Sequence, residues 1–355
     1  MVGHHTSHRA AFTLIEALVV TAIVALLVGV LVPALSITRD AAREAACTAQ
    51  QRRLHVGTMS WAQSHNDQIP GVNVTGLRYM RNYAAALELL GDTTPTTPTT
   101  VFDWISPVMG DEAKLSPNRA RRTKQIFEDL GCPGTTRDND AAWGLSAGDI
   151  ADFRELMAQE EIRQISYLSP GPFHLLGKPV TSGEWTAPGK KYTWAGPAVT
   201  PSSYKPLLYR VGTRMSDKVF LADGTRYLAS RDHLDFDAHP NPKYYGSFTS
   251  STPIYTASRE YGRAPTTPEF ADENHSSGNV HPHNARLSYR HRDKIMVVYF
   301  DGHAGSMTQT ESRTNAAPWY PGGSVFTGIR ATEESLRFHN VSGVTINNPA
   351  DVKLP

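Results

Sequence analysis

Residues 12–33, FTLIEALVVTAIVALLVGVLVP, form an apolar stretch that carries a glutamate, Glu16, close to its beginning. From Ala17 to Thr38 no side chain is charged, a run of 22 residues that would form a helix about 33 Å long. The hydrocarbon core of a bilayer is about 30 Å thick, so this run predicts one membrane span. A charged side chain at the middle of such a span costs roughly 2.5–3.5 kcal/mol. A carboxylate in this stretch therefore indicates a function.

The composition is that of a folded protein. The chain has 355 residues, of which 40% are hydrophobic and 19% are charged, enough for one anchor and one sizeable domain or two small ones. The formal net charge of +1 gives no general field for nucleic acid, so we expect no nucleic-acid partner. The common nucleophile, zinc-protease and phosphate-loop motifs are absent from the sequence, so we expect a protein that is not an enzyme.

Two interpretations of the N-terminus are open. One is an ordinary secretory signal peptide, cleaved near the small residues around Val32-Pro33-Ala34. The charge-free run is longer than the usual signal core of about 7–15 residues, however, and Glu16 would be a defect in it.

The second interpretation is a resemblance. The segment AFTLIEALVVTAIVALLVGVLVP, residues 11–33, resembles the class III leader and helix of type IV pilins and type II secretion pseudopilins. The resemblance implies that a prepilin peptidase cuts between Ala11 and Phe12 and methylates the new amino terminus of Phe12. The family usually has glycine before the cut, where this chain has Ala11.

The same resemblance implies a role for Glu16, which occupies the family's glutamate position. Its carboxylate would pair with the cationic amino terminus of Phe12, in the same subunit or in a neighbouring one. A single buried polar group can set the register of packed helices. Glu16 would therefore select the register during filament assembly.

The helical pattern continues beyond the apolar run. Cys47, Leu54 and Trp61 are seven residues apart and predict an amphipathic stripe. We expect one helix from about Leu14 to Ser64, with a kink or local melting at Pro33. The predicted organisation is a leader at 1–11, a membrane helix at 12–38, an amphipathic continuation at 39–65 and a periplasmic or extracellular head at 66–355.

The head is predicted to be α+β, packed on the long helix. Helical patterns cover residues 79–90, 117–130 and 149–162. The basic side chains of the second helix form either a solvated face or a site for an anionic partner; they are Arg119, Arg121, Arg122 and Lys124. Residues 218–230 and 295–308 each predict a strand, an Asp-Gly turn of type I′ and a second strand, and so two C-terminal antiparallel hairpins.

His291 precedes Asp301-Gly302 by nine residues. This spacing resembles the C-terminal motif of the prepilin-type, processing-associated His-X9-Asp-Gly proteins, which are abundant in planctomycetes and related bacteria. Three more segments fit that family: REAACTAQQRRLHVGTMSWAQSHNDQIPG at 43–71, LGCPG around Cys132 and ISYLSP near Tyr167.

Two explanations of the motif stay open. In the first, Asp301 and Gly302 are there because both residue types suit a tight turn. In the second, imidazole and carboxylate groups bind a metal ion; the candidate ligands are His281, His283, His291, Asp301 and His303. No cofactor is required by the resemblance. The segment HLDFDAH at 233–239 would place its polar side chains on one face of a strand. That face is either the solvent-exposed side of a half-buried strand or a further metal site.

Cys47 and Cys132 are the chain's two cysteines. In an oxidising periplasm they could pair, and closing so long a loop would contribute on the order of 4 kcal/mol in the chain-entropy model. Packed free thiols are the alternative, because sequence does not give the Cα separation.

The expected function is structural: a minor or specialised pilin-like or pseudopilin-like subunit of a type IV pilus or type II secretion pseudopilus. The partners implied are a prepilin peptidase, other pilin subunits and the inner membrane, with one span and an exported head. The alternative is a membrane-tethered binding protein that never polymerises and has a metal- or glycan-binding head.

Overall fold

The computed structural model describes residues 13–71, 74, 94–100, 103–135, 137–138, 150–159, 161–163, 166–175, 177, 184–187, 190–193, 197–225, 248–250, 252–256, 258, 261, 288–345, 348 and 350–355. The chain divides into two compact units, Met1–Ala45 and Ala46–Pro355. The second unit is called the head below.

Helix α1 runs from Leu14 to Ser64, as predicted. It ends where Asn66 and Asp67 take positive φ angles of 56° and 57°, which these short polar residues tolerate. Of the two effects predicted for Pro33, local melting is wrong, because every residue of the span remains α-helical; the kink stays a prediction. Proline removes one backbone donor, and the hydrogen-bonded turns on both sides hold the helix together.

The charge-free run of α1, residues 17–38, has apolar side chains on all sides of the helix. Every described side chain from Thr13 to Arg39 is exposed within the chain, and an evenly apolar helix needs lipid or other protein around it. Among the described residues, α1 is the one helix that is long and apolar enough to cross a membrane, judged by length and composition.

Within the head, α1 buries one face. The buried residues are Cys47, Gln51, Leu54, His55, Gly57, Thr58 and Ala62. Trp61, predicted to continue the stripe, is half-buried and stacks on His65 with 4.0 Å between ring centroids. A strict seven-residue repeat drifts by about 20° per heptad on a straight helix, so Ala62 takes the buried position instead.

Five shorter helices are described in the head: α2 (Ile105–Met109), α3 (Arg119–Asp129), α4 (Ile150–Gln159), α5 (Gln309–Thr314) and α6 (Glu333–Phe338). Helices α3 and α4 confirm two predicted helices. The cap of α3 is Asn118, whose side chain accepts a hydrogen bond from the Arg121 amide. The helix predicted at 79–90 lies outside the described residues.

Twelve strands are described: β1 (Arg137–Asp138), β2 (Ile162–Arg163), β3 (Tyr167–Pro170), β4 (Glu184–Ala187), β5 (Lys190–Thr193), β6 (Ala198–Val199), β7 (Val219–Asp223), β8 (Thr249–Ser250), β9 (Lys294–Tyr299), β10 (Ala304–Thr308), β11 (Val325–Phe326) and β12 (Val352–Lys353). The central sheet has the order β10-β9-β7-β3-β8. Its pairs are antiparallel except β3 with β8.

Strands β9 and β10 form the predicted C-terminal hairpin. Its turn is closed by the Gly302 amide, which donates to the Tyr299 carbonyl at 2.9 Å. Gly302 has a φ of +90°, whereas Asp301 does not take a positive φ. The turn therefore differs from the predicted type I′, which needs positive φ at both central residues; a type I turn followed by glycine has this pattern.

The other predicted hairpin, 218–230, is wrong in its pairing. Strand β7 is bordered by β9 on one side and β3 on the other, so a following strand has no edge of β7 to join. Every residue of β7 is buried, as in a central strand. Residues 226–230 lie outside the described part.

The core lies on both faces of the central sheet. One apolar cluster joins α1 and α3 to the sheet, through residues such as Leu54, Phe127 and Phe220. The other joins the sheet to the C-terminal segment, through Val297 and Trp319 among others. The head is therefore α+β, and its sheet carries the segments on which the sequence motifs lie.

Candidate functional site: the start of α1 and the His291 cluster

Thr13 and Glu16 close the first turn of α1. Glu16 Oε2 accepts hydrogen bonds from the Thr13 amide at 2.9 Å and the Thr13 hydroxyl at 2.8 Å. In return, the Glu16 amide donates to Thr13 Oγ1 at 3.3 Å. These reciprocal bonds form a capping box, which satisfies donors that the start of a helix otherwise leaves free. Ala11 and Phe12 lie outside the described residues, so the pairing of Glu16 with the Phe12 amine stays a prediction.

The two ends of the His-X9-Asp-Gly motif lie apart. His291 precedes β9 and Asp301 follows it, with the six residues of Lys294–Tyr299 between them. At about 3.3 Å per residue, the strand separates them by roughly 20 Å. His291 and Asp301 therefore do not share one metal site, as one sequence interpretation required. His281, His283 and the segment at 233–239 lie outside the described residues.

The Asp301 end is a partly exposed surface pair. Asp301 Oδ1 lies 2.6 Å from His303 Nδ1 and accepts from the His303 amide at 3.1 Å. Slight burial raises the pKa of Asp301, but the hydrogen bonds from His303 outweigh it and hold the pKa below its usual value. The His303 ring stacks on Tyr299 at 4.0 Å, and both rings line a surface cavity of about 550 Å³ that also contacts Lys218.

Gly302 has a geometric role. A Cβ at this position would lie 3.0 Å from Cε1 of His55, and the φ of +90° disfavours any other residue. His55 Nε2 in turn lies 3.0 Å from the Phe300 carbonyl oxygen. The turn is thus shaped to meet the buried face of α1, which agrees with the geometric explanation of Asp-Gly.

At the other end of β9, a buried polar cluster surrounds Asp223. One carboxylate oxygen, Oδ1, accepts from Gln51 Nε2 at 3.0 Å and from Arg290 at 2.8 Å. The other, Oδ2, accepts from the Met296 amide at 2.7 Å and lies 3.4 Å from His291 Nε2. Because Asp223 is completely buried, its charge requires such partners.

Three members of this cluster were missed from sequence: Gln51, Asp223 and Arg290. Because glycine follows Asp223, its sequence context predicts a turn. Gln51 lies one helical turn beyond Cys47, on the face that also carries Leu54, and a polar residue in such a stripe is a usable signal of a buried hydrogen bond. Arg290 directly precedes His291, yet nothing in its spacing indicates a partner 67 residues earlier.

A disulfide joins Cys47 of α1 to Cys132, which follows α3, across a sequence separation of 85. Both cysteines are completely buried. His291 Nε2 lies 3.6 Å from Cys132 Sγ, and the Gly134 amide donates to the same sulfur at 3.3 Å. The motif histidine therefore lies between the disulfide and Asp223.

Two of the basic residues of α3 are not on a solvated face. Arg119 and Arg122 are buried. Arg119 Nε donates to the Thr99 carbonyl at 2.6 Å, and Arg122 donates to the carbonyls of Ser116 and Pro117. Arg122 thus holds the loop that precedes α3, and Arg119 holds the segment that precedes α2. The prediction of a solvated face is therefore wrong for these two residues.

The comparison with known proteins bears on the N-terminal segment. A family model described as the prokaryotic N-terminal methylation motif matches residues 6–32. No curated protein and no solved structure matches the chain. The matched segment contains Glu16, its Thr13 partner and most of the exposed apolar part of α1. The N-terminus is thus similar to a prepilin-type signal, joined to one helix long enough to anchor the protein in a membrane.

Proposed function

We propose that the chain is a pilin-like or pseudopilin-like structural subunit, minor or specialised, of a type IV pilus or type II secretion pseudopilus. The observation that carries the proposal is that two features occur in the same segment. The methylation motif at 6–32 overlaps a continuous helix whose described side chains, from Thr13 to Arg39, are all exposed. Such a helix can exchange lipid for the helices of neighbouring subunits.

Processing comes first in this proposal. A prepilin peptidase cuts between Ala11 and Phe12 at the inner membrane and methylates the Phe12 amine. Thr13 and Glu16 then lie in the first turn of the mature helix. The capping box keeps that turn helical, so the Glu16 carboxylate is held near the new amino terminus.

Assembly is driven by the apolar side chains, while Glu16 restricts the register. Inside the bilayer, a carboxylate without a partner is unfavourable. The cationic amino terminus of a neighbouring subunit supplies that partner only at one axial offset, so other offsets leave a charge unpaired. The head, Ala46–Pro355, is a bulky unit to repeat along a thin filament, which favours a minor, tip or specialised position.

The first test is the mature N-terminus in native membranes, determined by sequencing and intact mass. We expect a chain that begins at methylated Phe12. A chain that begins near Leu35 would mean ordinary signal cleavage and would remove the proposal. An intact Met1 or Val2 terminus would favour the tethered binding protein instead.

The second test separates the two tasks of Glu16. Glu16→Gln keeps a side-chain acceptor for Thr13 and removes the charge, whereas Glu16→Ala removes both. If the charge selects register, both variants are cleaved normally and both lose incorporation into filaments. Glu44→Ala, an acid removed from the same helix beyond the charge-free run, is the matched control and should assemble. Normal assembly of Glu16→Gln would contradict the pairing and leave capping as the role of Glu16.

A further inference from the structure

We propose that the head, when its disulfide is reduced, binds a Zn²⁺-type ion through Cys47, Cys132 and His291, with the Asp223 carboxylate as the fourth ligand. The three first ligands come from α1, the loop after α3 and the turn before β9. Their donor atoms all lie within 4.8 Å of one another, and all three residues are buried. This site is separate from the proposed assembly function and does not depend on it.

Two of the distances around His291 fit a tetrahedral ion. With Zn–S of about 2.3 Å and Zn–N or Zn–O of about 2.0 Å, the edges of the tetrahedron are about 3.5 Å for S to N and about 3.3 Å for N to O. His291 Nε2 lies 3.6 Å from Cys132 Sγ and 3.4 Å from Asp223 Oδ2. Two edges of the site are therefore present already. Asp223 is not part of the group whose donor atoms all lie within 4.8 Å of one another, so its carboxylate oxygen moves closer to the sulfurs when the ion binds.

The surroundings support these ligands. The Asp223 carboxylate is oriented by Gln51, Arg290 and the Met296 amide, as second-layer groups orient ligands in metal sites. Two thiolates and one carboxylate exceed the charge of a divalent ion by one, and the adjacent Arg290 guanidinium offsets that excess. The Gly134 amide donates to Cys132 Sγ.

The disulfide and the metal exclude each other. A dithiol reductant transfers two electrons and two protons, is itself oxidised to a disulfide, and leaves two thiols at Cys47 and Cys132. The ion then displaces both thiol protons to solvent. It binds the Nε2 lone pair of the neutral His291 ring, whose proton resides on Nδ1. The sulfurs separate from about 2.0 Å in the bond to about 3.8 Å as ligands, which small side-chain rotations allow.

The test uses the full-length protein in detergent micelles, reduced anaerobically with a phosphine and titrated with Co²⁺. Tetrahedral cobalt with thiolate ligands gives intense visible bands and a near-ultraviolet sulfur-to-metal charge-transfer band. We expect both bands to saturate at one ion per chain and to disappear when Zn²⁺ is added. The oxidised protein should give neither band.

Variants test whether the proposed ligands bind the Co²⁺ ion. We expect His291→Ala to weaken Co²⁺ binding by at least about 100-fold, on the scale known for losses around metal sites. His291→Cys supplies another ligand and should retain binding with a stronger charge-transfer band. His303→Ala removes a histidine outside the site and should leave binding unchanged.

Three results would overturn the proposal. The first is a reduced, folded protein that binds no Co²⁺. The second is a His291→Ala variant that binds as tightly as the unaltered chain, which would show simple capture by thiols. The third is a chain that unfolds on reduction and whose near-ultraviolet circular dichroism does not return when metal is added.

Discussion

At the scale of single residues, His174 shows how burial determines chemistry. Its ring is buried, with Nδ1 at 2.6 Å from the Pro70 carbonyl oxygen and Nε2 at 2.7 Å from Ser169 Oγ. Burial lowers the pKa of His174 to about 4, although the Pro70 contact opposes the shift. The neutral ring thus connects the loop after α1 to strand β3.

This pKa predicts a pH dependence of stability. Between pH 6.5 and 4 the unfolded chain binds a proton at His174 that the folded chain does not, so the free energy of unfolding falls as the pH is lowered through this range. The loss from this residue is about 3 kcal/mol. Urea unfolding of the full-length protein at several pH values measures it. His174→Gln keeps an amide donor but does not titrate, so its profile should be flatter; parallel profiles would contradict the assignment.

At the scale of elements, Lys218 ties strand β7 to the C-terminal segment. Its buried ammonium donates to the carbonyl oxygens of Ala317 at 2.7 Å, Tyr320 at 3.0 Å and Pro355 at 2.7 Å. Three carbonyls converge on one charge from a segment that packs on the second face of the central sheet. One side chain therefore binds backbone oxygens from two places in the C-terminal segment, the stretch Ala317–Tyr320 and Pro355, none of which lies in a strand.

We expect Lys218→Met to lower the free energy of unfolding by about 2–4 kcal/mol, because buried carbonyls lose their donor while the apolar stem is retained. Limited proteolysis should then cut the C-terminal segment before the rest of the head. Lys353→Met, on an exposed lysine of β12, is the matched control and should change little. Equal stability of the two variants would show that the ammonium contributes nothing net.

At the scale of the whole molecule, the disulfide closes a loop between α1 and the segment after α3, with a sequence separation of 85. In the chain-entropy model such a loop contributes about 4 kcal/mol by restricting the unfolded chain. We expect Cys47→Ala with Cys132→Ala to lower the free energy of unfolding by about that amount in oxidising buffer. In reducing buffer without metal, the free energies of unfolding of the variant and the unaltered chain should differ by much less. An equal difference in both buffers would mean that the loss comes from packing and not from the disulfide.

Local elements of this fold could be predicted from sequence, whereas the pairing of distant strands could not. The bounds of α1 followed from a charge-free run and from turn residues after Ser64, and the structure confirms both. The hairpin of β9 and β10 followed from strand-forming residues on each side of Asp-Gly. Strand β7 shows the limit: the same dipeptide ends it, but its partners β3 and β9 come from distant segments.

The membrane-length helix, its amphipathic continuation and the C-terminal hairpin could be predicted from the sequence alone, because each depends on residues that are neighbours along the chain. The contacts of His291, by contrast, depend on the folded chain. Its partners, Asp223 and Cys132, precede it by 68 and 159 residues, and they meet it because the sheet order places β7 beside β9. Local pattern carries no record of such contacts, since they depend on which strands pair and which faces are buried.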